Sequence, residues 1–312
     1  MNLPTVEKFD EAYQNIKDVI VRSPIVACEA DVFLKPEIHQ VINSFKVRGV
    51  FHAVSQLSEK QRQKGISTVS AGNTAQALAW CGRFFSVPAY CIMPTTAPQT
   101  KIDRVKKYGG TPVLVSMEEV FKYLQEHLWN NDPYTFIHPW TSKDVMTGHG
   151  SIGIEIWQDF REIESIFVPV GGGGLIAGVA GYLKQVNPEI NIYAVEPLGC
   201  PALYTSIKNG CASAVECNTI CDGVAVPYIT SEMYPLLAEL VSEVVLVSEK
   251  KVKKAIHALA TKYKMVVEPS GALAMAAAFE MPRSKRGKSV CIVSGGSIDI
   301  DKFIKILQDE KK

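Results

Sequence analysis

The chain has 312 residues, 47 % of them apolar and 21 % charged, with a formal net charge of +1. That composition suits a folded globular protein of one large domain or two modest ones, and the near-neutral charge gives no reason to expect nucleic acid or an anionic membrane as partner. No apolar run reaches the roughly 20 residues that span a bilayer, and the opening MNLPTVEKFDEAYQNIKDVI carries acids instead of a secretory leader's long apolar run.

The expectation is a cytoplasmic protein that begins at its natural start. Val6, Phe9, Tyr13, Ile16 and Ile20 recur at three- and four-residue steps and predict an opening helix. NSFKVRGVFHA (43–53) follows, with Lys46 at the start of an amphipathic pattern. Alone, that lysine reads as solvated.

From residue 65 onward, short β-type runs alternate with helical patterns. GISTVS (65–70), VPAYCIMP (87–94), TPVLVS (111–116) and YTFIH (134–138) predict strands. NTAQALAWCGRFF, PQTKIDRVKKYGG and MEEVFKYLQEHLW predict the helices between them. The pattern then restarts. SIGIEIWQDF is helical, SIFVPV (165–170) a strand, GGGG a loop and LIAGVAGYLKQV a helix. INIYAVEP (190–197), SEVVLVS (242–248) and KSVCIVSGG (288–296) complete the strands. Strands apolar on both faces and joined by helices predict two parallel sheets, each covered on both sides. Ligands in such folds bind beyond the carboxyl ends of the strands.

Three clusters fall at such ends. VPVGGGGLIAG leaves backbone N–H groups bare before a helix and suits a phosphate. Its Gly172, Gly174 and Ala177 also fit a G-x-G-x-x-A dinucleotide fingerprint, with Glu196 where a ribose-binding acid would lie. A nicotinamide- or flavin-dependent dehydrogenase is therefore a rival reading. SAGNTAQALAW (70–80) offers N–H and hydroxyl donors to a carboxylate, or simply caps a helix. VSGGSID (293–299) closes the last strand with Ser294, or forms a plain turn. A reactive lysine, a carboxylate-binding turn, a phosphate loop and a strand-end serine together are what a pyridoxal-phosphate enzyme acting on an amino acid requires.

Among the eight cysteines no pair has C-x-x-C spacing, and Cys200, Cys211, Cys217 and Cys221 match no common zinc pattern. Free, partly buried thiols are expected, and no metal site.

SFKVRG, SAGNTAQ, PVGGGGLIAG, AVEP, DGVAV, EPSGALA and VSGGSID resemble the fold-type II pyridoxal-phosphate enzymes over about residues 20–305, within them the threonine/serine dehydratase and serine racemase branch. The resemblance implies an α/β, tryptophan synthase β-like fold of two open parallel-sheet domains with the cofactor in the cleft. A large domain of 1–58 and 142–312 and a small one of 59–141 are expected.

The resemblance further implies that Lys46 carries pyridoxal 5′-phosphate and moves the Cα proton, and that Phe45 packs on the ring. Asn73 would meet the ring's 3′-oxygen, Gly171, Gly172, Gly173 and Gly174 the phosphate, and Ser294 the ring nitrogen. Ser70, Ala71, Gly72, Asn73 and Thr74 would take the substrate carboxylate. A homodimer is implied, with no regulatory domain after Ser294.

The departures matter too. Relatives carry histidine at Thr74 and A-G-Q-G at TGHG (147–150), where His149 either contacts substrate or packs under the helix. VINSFK replaces K-T-G-S-F-K and predicts a more apolar entrance through Val41 and Ile42. Racemases of the branch read S-S-G-N where Ala71 stands here. Some relatives hold a divalent cation with the VEP glutamate and an acid six residues on, but that later position is Ala202. The expected activity is loss of water from threonine or serine to give a 2-oxo acid and ammonia. A serine or aspartate racemase, a hydroxyaspartate dehydratase and a non-catalytic cofactor-binding protein are the alternatives beside the dehydrogenase.

Overall fold

Five-residue segments buried along their whole length, such as Ser165–Pro169 and Ser289–Val293, can sit only in a sheet covered on both faces. The computed structural model, which describes residues 2–309, arranges them so. In chain order the elements are α1 (Val6–Ile16), β1 (Val26–Ala27), β2 (Val32–Pro36), α2 (Lys46–Gln56), α3 (Glu59–Gln63), β3 (Ile66–Val69), α4 (Asn73–Phe85) and β4 (Ala89–Pro94). Next come α5 (Gln99–Lys107), β5 (Thr111–Val115), α6 (Met117–Gln125), β6 (Thr135–Phe136), α7 (Lys143–His149), α8 (Ser151–Asp159), β7 (Ser165–Pro169) and α9 (Gly174–Val186). The chain continues through β8 (Asn191–Pro197), α10 (Ala202–Asn209), α11 (Tyr234–Leu240), β9 (Glu243–Val247), α12 (Glu249–Thr261), α13 (Pro269–Glu280), α14 (Arg283–Arg286), β10 (Ser289–Val293) and α15 (Ile300–Asp309).

Two sheets result. The smaller is four-stranded, β5-β4-β3-β6, and parallel throughout. The larger is six-stranded, β1-β2-β10-β7-β8-β9. It is parallel except at its edge, where β1 pairs antiparallel with β2. That hairpin adds one antiparallel edge to the parallel-sheet architecture that the sequence predicts. Its tight reversal puts Ala30 and Asp31 at positive φ (54° and 58°).

The order β2-β10-β7 positions the site. These neighbours run parallel, so the segments after them emerge at one edge: the approach to Lys46, Ser294 and the glycine loop. In the small sheet, β3, β4 and β6 likewise lead to Ser70–Thr74, Thr96–Pro98 and Trp140. Helix α13 is apolar all round, buried from Pro269 to Ala278, and fills the large domain.

The cysteine expectation needs one correction. Cys200 and Cys217 form a disulfide, because the chain after β8 returns past its own start with the two Cα atoms 4.4 Å apart. Cys28, Cys81, Cys91, Cys211, Cys221 and Cys291 remain free. No helix among the described residues is long and apolar enough to cross a membrane.

Candidate active site

Lys46 is the first residue of α2. Just before it, Ser44 bridges Gly295 and the Phe45 N–H donates to the Ser294 carbonyl at 3.1 Å. The lysine turn is thus clipped to the loop after β10. Two residues on, Arg48 anchors the helix from beneath. Its Nε donates to Glu37 at 2.6 Å and its Nη1 to Glu155 at 2.8 Å, and all three side chains are fully buried. Lys35, equally buried, closes the network on Glu155 at 2.7 Å.

Lys46 makes no ion pair among the described residues, and its Nζ lies 5.1 Å from the Phe45 ring centroid. Desolvation pulls its pKa down to about 8, against the opposing charge of Glu268. Roughly a tenth of the amine is therefore in the neutral, nucleophilic form at pH 7, against well under about a thousandth for an ordinary lysine.

A cleft of about 580 Å³ opens between the carboxyl ends of the two sheets. It brings together the residues expected to hold the cofactor and the substrate carboxylate: Phe45, Lys46, Ser70, Ala71, Gly72, Asn73, Thr74, Gly171, Gly172, Gly173, Gly174 and Ser294. At the glycine loop a Cβ on Gly172 would meet the Trp140 ring at 2.5 Å, and Gly173 has φ +89°. No side chain caps α9, which starts at Gly174. Bare N–H groups at the positive end of a 13-residue helix make an anion cradle. In the opposite wall the Gly72 N–H donates to Ser70 Oγ at 3.1 Å, folding the turn that starts α4.

Glu268 is a site residue that the sequence reading missed. It lines the cleft, and its Oε1 accepts from Asn73 Nδ2 at 2.8 Å. Burial pushes its pKa up to about 7, helped by the charge of Asp222 and opposed by Lys101, the Asn73 bond and Arg104. EPSGALA was visible as a motif, but a glutamate ahead of a proline looks like an ordinary helix start, and nothing local says which way it faces. Ser270 Oγ and Trp140 Nε1 also line the cleft, buried and without a hydrogen-bond partner among the described residues.

Other expectations resolve against the geometry. Glu196 is 1 % exposed and accepts from the Leu203 and Tyr204 N–H groups at 2.8 and 2.9 Å. It caps α10 and is not presented to a ribose, which removes the dinucleotide argument. No cluster of metal-ligating side chains exists among the described residues. His149 is fully buried against Gly49 and the Phe45 ring, 4.8 Å between centroids, and does not line the cleft. Val41 is exposed and Ile42 fully buried, and neither lines the cleft. The apolar entrance expected from them is absent, because the turn before Lys46 directs one to solvent and the other into the core.

The fit to pyridoxal phosphate is good on these grounds: an unpaired amine of lowered pKa, a cradle that a single Cβ would fill, and orphaned donors in one cleft. The comparisons agree. The family model for pyridoxal-phosphate dependent enzymes matches residues 16–296. The chain is 33 % identical to the L-threonine ammonia-lyase of Thermotoga maritima, over 97 % of this chain and 78 % of that protein. It is 35 % identical to a catabolic L-threonine dehydratase of Staphylococcus aureus, over 96 % and 90 %. Among solved structures it resembles maize serine racemase, with a TM-score of 0.91, 30 % identity and coverage of 99 % and 98 %.

Proposed function

The chain belongs to the pyridoxal-phosphate dependent enzymes, and on that premise we propose that it is a lyase that removes water from threonine or serine and yields a 2-oxo acid and ammonia. It is a fold-type II enzyme of two parallel-sheet domains, and its cofactor is pyridoxal 5′-phosphate. The observation that carries the reading is Lys46: an unpaired amine with a pKa of about 8, in the same cleft as a glycine cradle and a strand-end serine.

When bound, the cofactor supplies an aldehyde that takes up amines and a ring that withdraws the electron pair left at Cα. The chain's residues do the rest. Lys46 would hold the cofactor and, with its amine free, would take the Cα proton as general base. Gly171, Gly172, Gly173 and Gly174 bind the phosphate. Ser294 would offer the ring nitrogen a neutral hydroxyl, which favours an unprotonated ring and loss of the β-hydroxyl. Ser70, Gly72, Asn73 and Thr74 orient the carboxylate, with Ala71 among them. Phe45 would pack on the ring, and Asn73, fixed by Glu268, would serve the 3′-oxygen. Residues 59–141 form the small domain, and 1–58 with 142–312 the large one. The working form is a cytoplasmic homodimer.

The likeness to a serine racemase gives the second reading. Racemisation needs an acid or base on each face of Cα. Position 71, where racemases of the branch place a serine, is an alanine without a proton to give. Elimination is therefore favoured. Incubation with L-serine tests this: ammonia and pyruvate are expected in equal amounts, whereas predominant D-serine with little pyruvate would overturn it.

A further inference from the structure

Resting on the dehydratase reading above, we propose that the cleft carries an apolar subsite for the substituent on Cβ. The preferred substrates are then β-hydroxy amino acids with a bulky apolar or aromatic group at that carbon.

The donors of the cleft lie chiefly on the Lys46 turn, the Ser70–Thr74 turn, the glycine loop and the loop after β10, with Ser270 Oγ and Trp140 Nε1 beside them. One stretch of the wall is of another kind. Helix α6 contributes Met117, Val120, Phe121 and Leu124. Val120 and Leu124 seat the helix on Val69 and Ile92 of the small sheet. Met117 and Phe121 remain 45 % and 38 % exposed while lining the cleft. A row of rings continues the wall. Phe136 and His138 are 5.9 Å apart between centroids, His138 and Trp140 5.0 Å, and Trp140 and Tyr228 6.3 Å. The row leads from β6 across to the large domain, and its last two members line the cleft.

Large apolar side chains left open on the wall of a concave site mark a place where a ligand's apolar surface is buried. A single methyl covers little of this wall, whereas an added ring is expected to raise kcat/KM by about tenfold or more. A charged substituent is not served. Among the described residues the cations lining the cleft are Lys46 and Lys101, and Lys101 is already paired with Asp222. A second carboxylate, as in 3-hydroxyaspartate, would lie against hydrocarbon without a counter-ion.

The test gives the holoenzyme L-threo-3-phenylserine, L-threonine and L-threo-3-hydroxyaspartate and measures 2-oxo acid and ammonia. The expected order of kcat/KM is phenylserine, then threonine, then hydroxyaspartate. Phe121→Ser and Met117→Ser should each lower the phenylserine-to-threonine ratio. A wild-type ratio at or below one, or a ratio that neither variant moves, overturns the subsite while leaving the dehydratase reading intact. Ammonia from none of the three overturns both.

Discussion

Asn73 Nδ2 donates to Glu268 Oε1 at 2.8 Å across a sequence separation of 195 residues, joining the first turn of α4 to the start of α13. The same carboxyl opposes the lowering of the Lys46 pKa. One acid thus holds a substrate-side amide and biases the protonation of the amine that carries the cofactor.

Glu268→Gln keeps an acceptor for Asn73 and deletes the charge. Lys46 then loses the interaction that favours its ammonium form, so its pKa falls below about 8. The rate at which apoprotein takes up pyridoxal phosphate, followed by absorbance against pH, rises with the neutral amine. Its midpoint should move to lower pH in the variant. An unmoved midpoint would show that Glu268 does not sense Lys46.

Lys46→Ala should abolish turnover and leave the fold intact, because the side chain makes no ion pair among the described residues. Borohydride should fix the cofactor to Lys46 in the parent and to nothing in the variant. Substantial ammonia release by the variant without added amine would refute the assignment.

Gly172→Ala should lower cofactor affinity by at least tenfold. The added methyl meets the Trp140 ring 2.5 Å away, so the ring or the loop must shift out of the cradle. Titration of apoprotein with pyridoxal phosphate measures the loss, and circular dichroism checks that the fold persists. Wild-type affinity would mean that the loop is not the phosphate site.

Much of this arrangement is legible in the sequence because it depends on local rules. Apolar runs bounded by glycine and proline mark the strands of both sheets, and four glycines between a strand and a helix mark the cradle. What is not legible depends on distant partners. The β1–β2 hairpin has only two residues in its first strand, too few for any period. The Cys200–Cys217 pair forms because β8 and the segment beyond α10 meet in space. Glu268 faces the cleft because α13 starts there, and Val41 and Ile42 miss it because of how one turn is clipped to Gly295.

Arg48→Met should destabilise the protein by about 3–5 kcal/mol. The substitution leaves Glu37 and Glu155 buried with Lys35 as their remaining cation. Equilibrium urea unfolding measures it. The double change Arg48→Met with Glu37→Gln should recover part of the loss, since one orphaned charge is gone. No recovery would indicate that shape, not charge, sets the cost.

Glu196 supplies the pH prediction. Burial raises its pKa from the ordinary carboxylate value to about 7, despite bonds from the N–H groups of Leu203, Tyr204 and Ala202. The folded state therefore holds a proton between about pH 4.5 and 7 that the unfolded chain has released. By linkage, stability falls as pH rises through that window and levels off above it. Glu268, raised to a similar value, acts in the same direction. Glu196→Gln keeps one acceptor oxygen for the α10 N–H groups, gives up the other, and removes the titration, so the variant should start less stable but its decline from pH 4.5 to 7 should be shallower. Unfolding measured at pH 5 and pH 8 for both proteins decides it: an equal decline would mean that Glu196 is ionised in the fold throughout, held by the α10 amides alone.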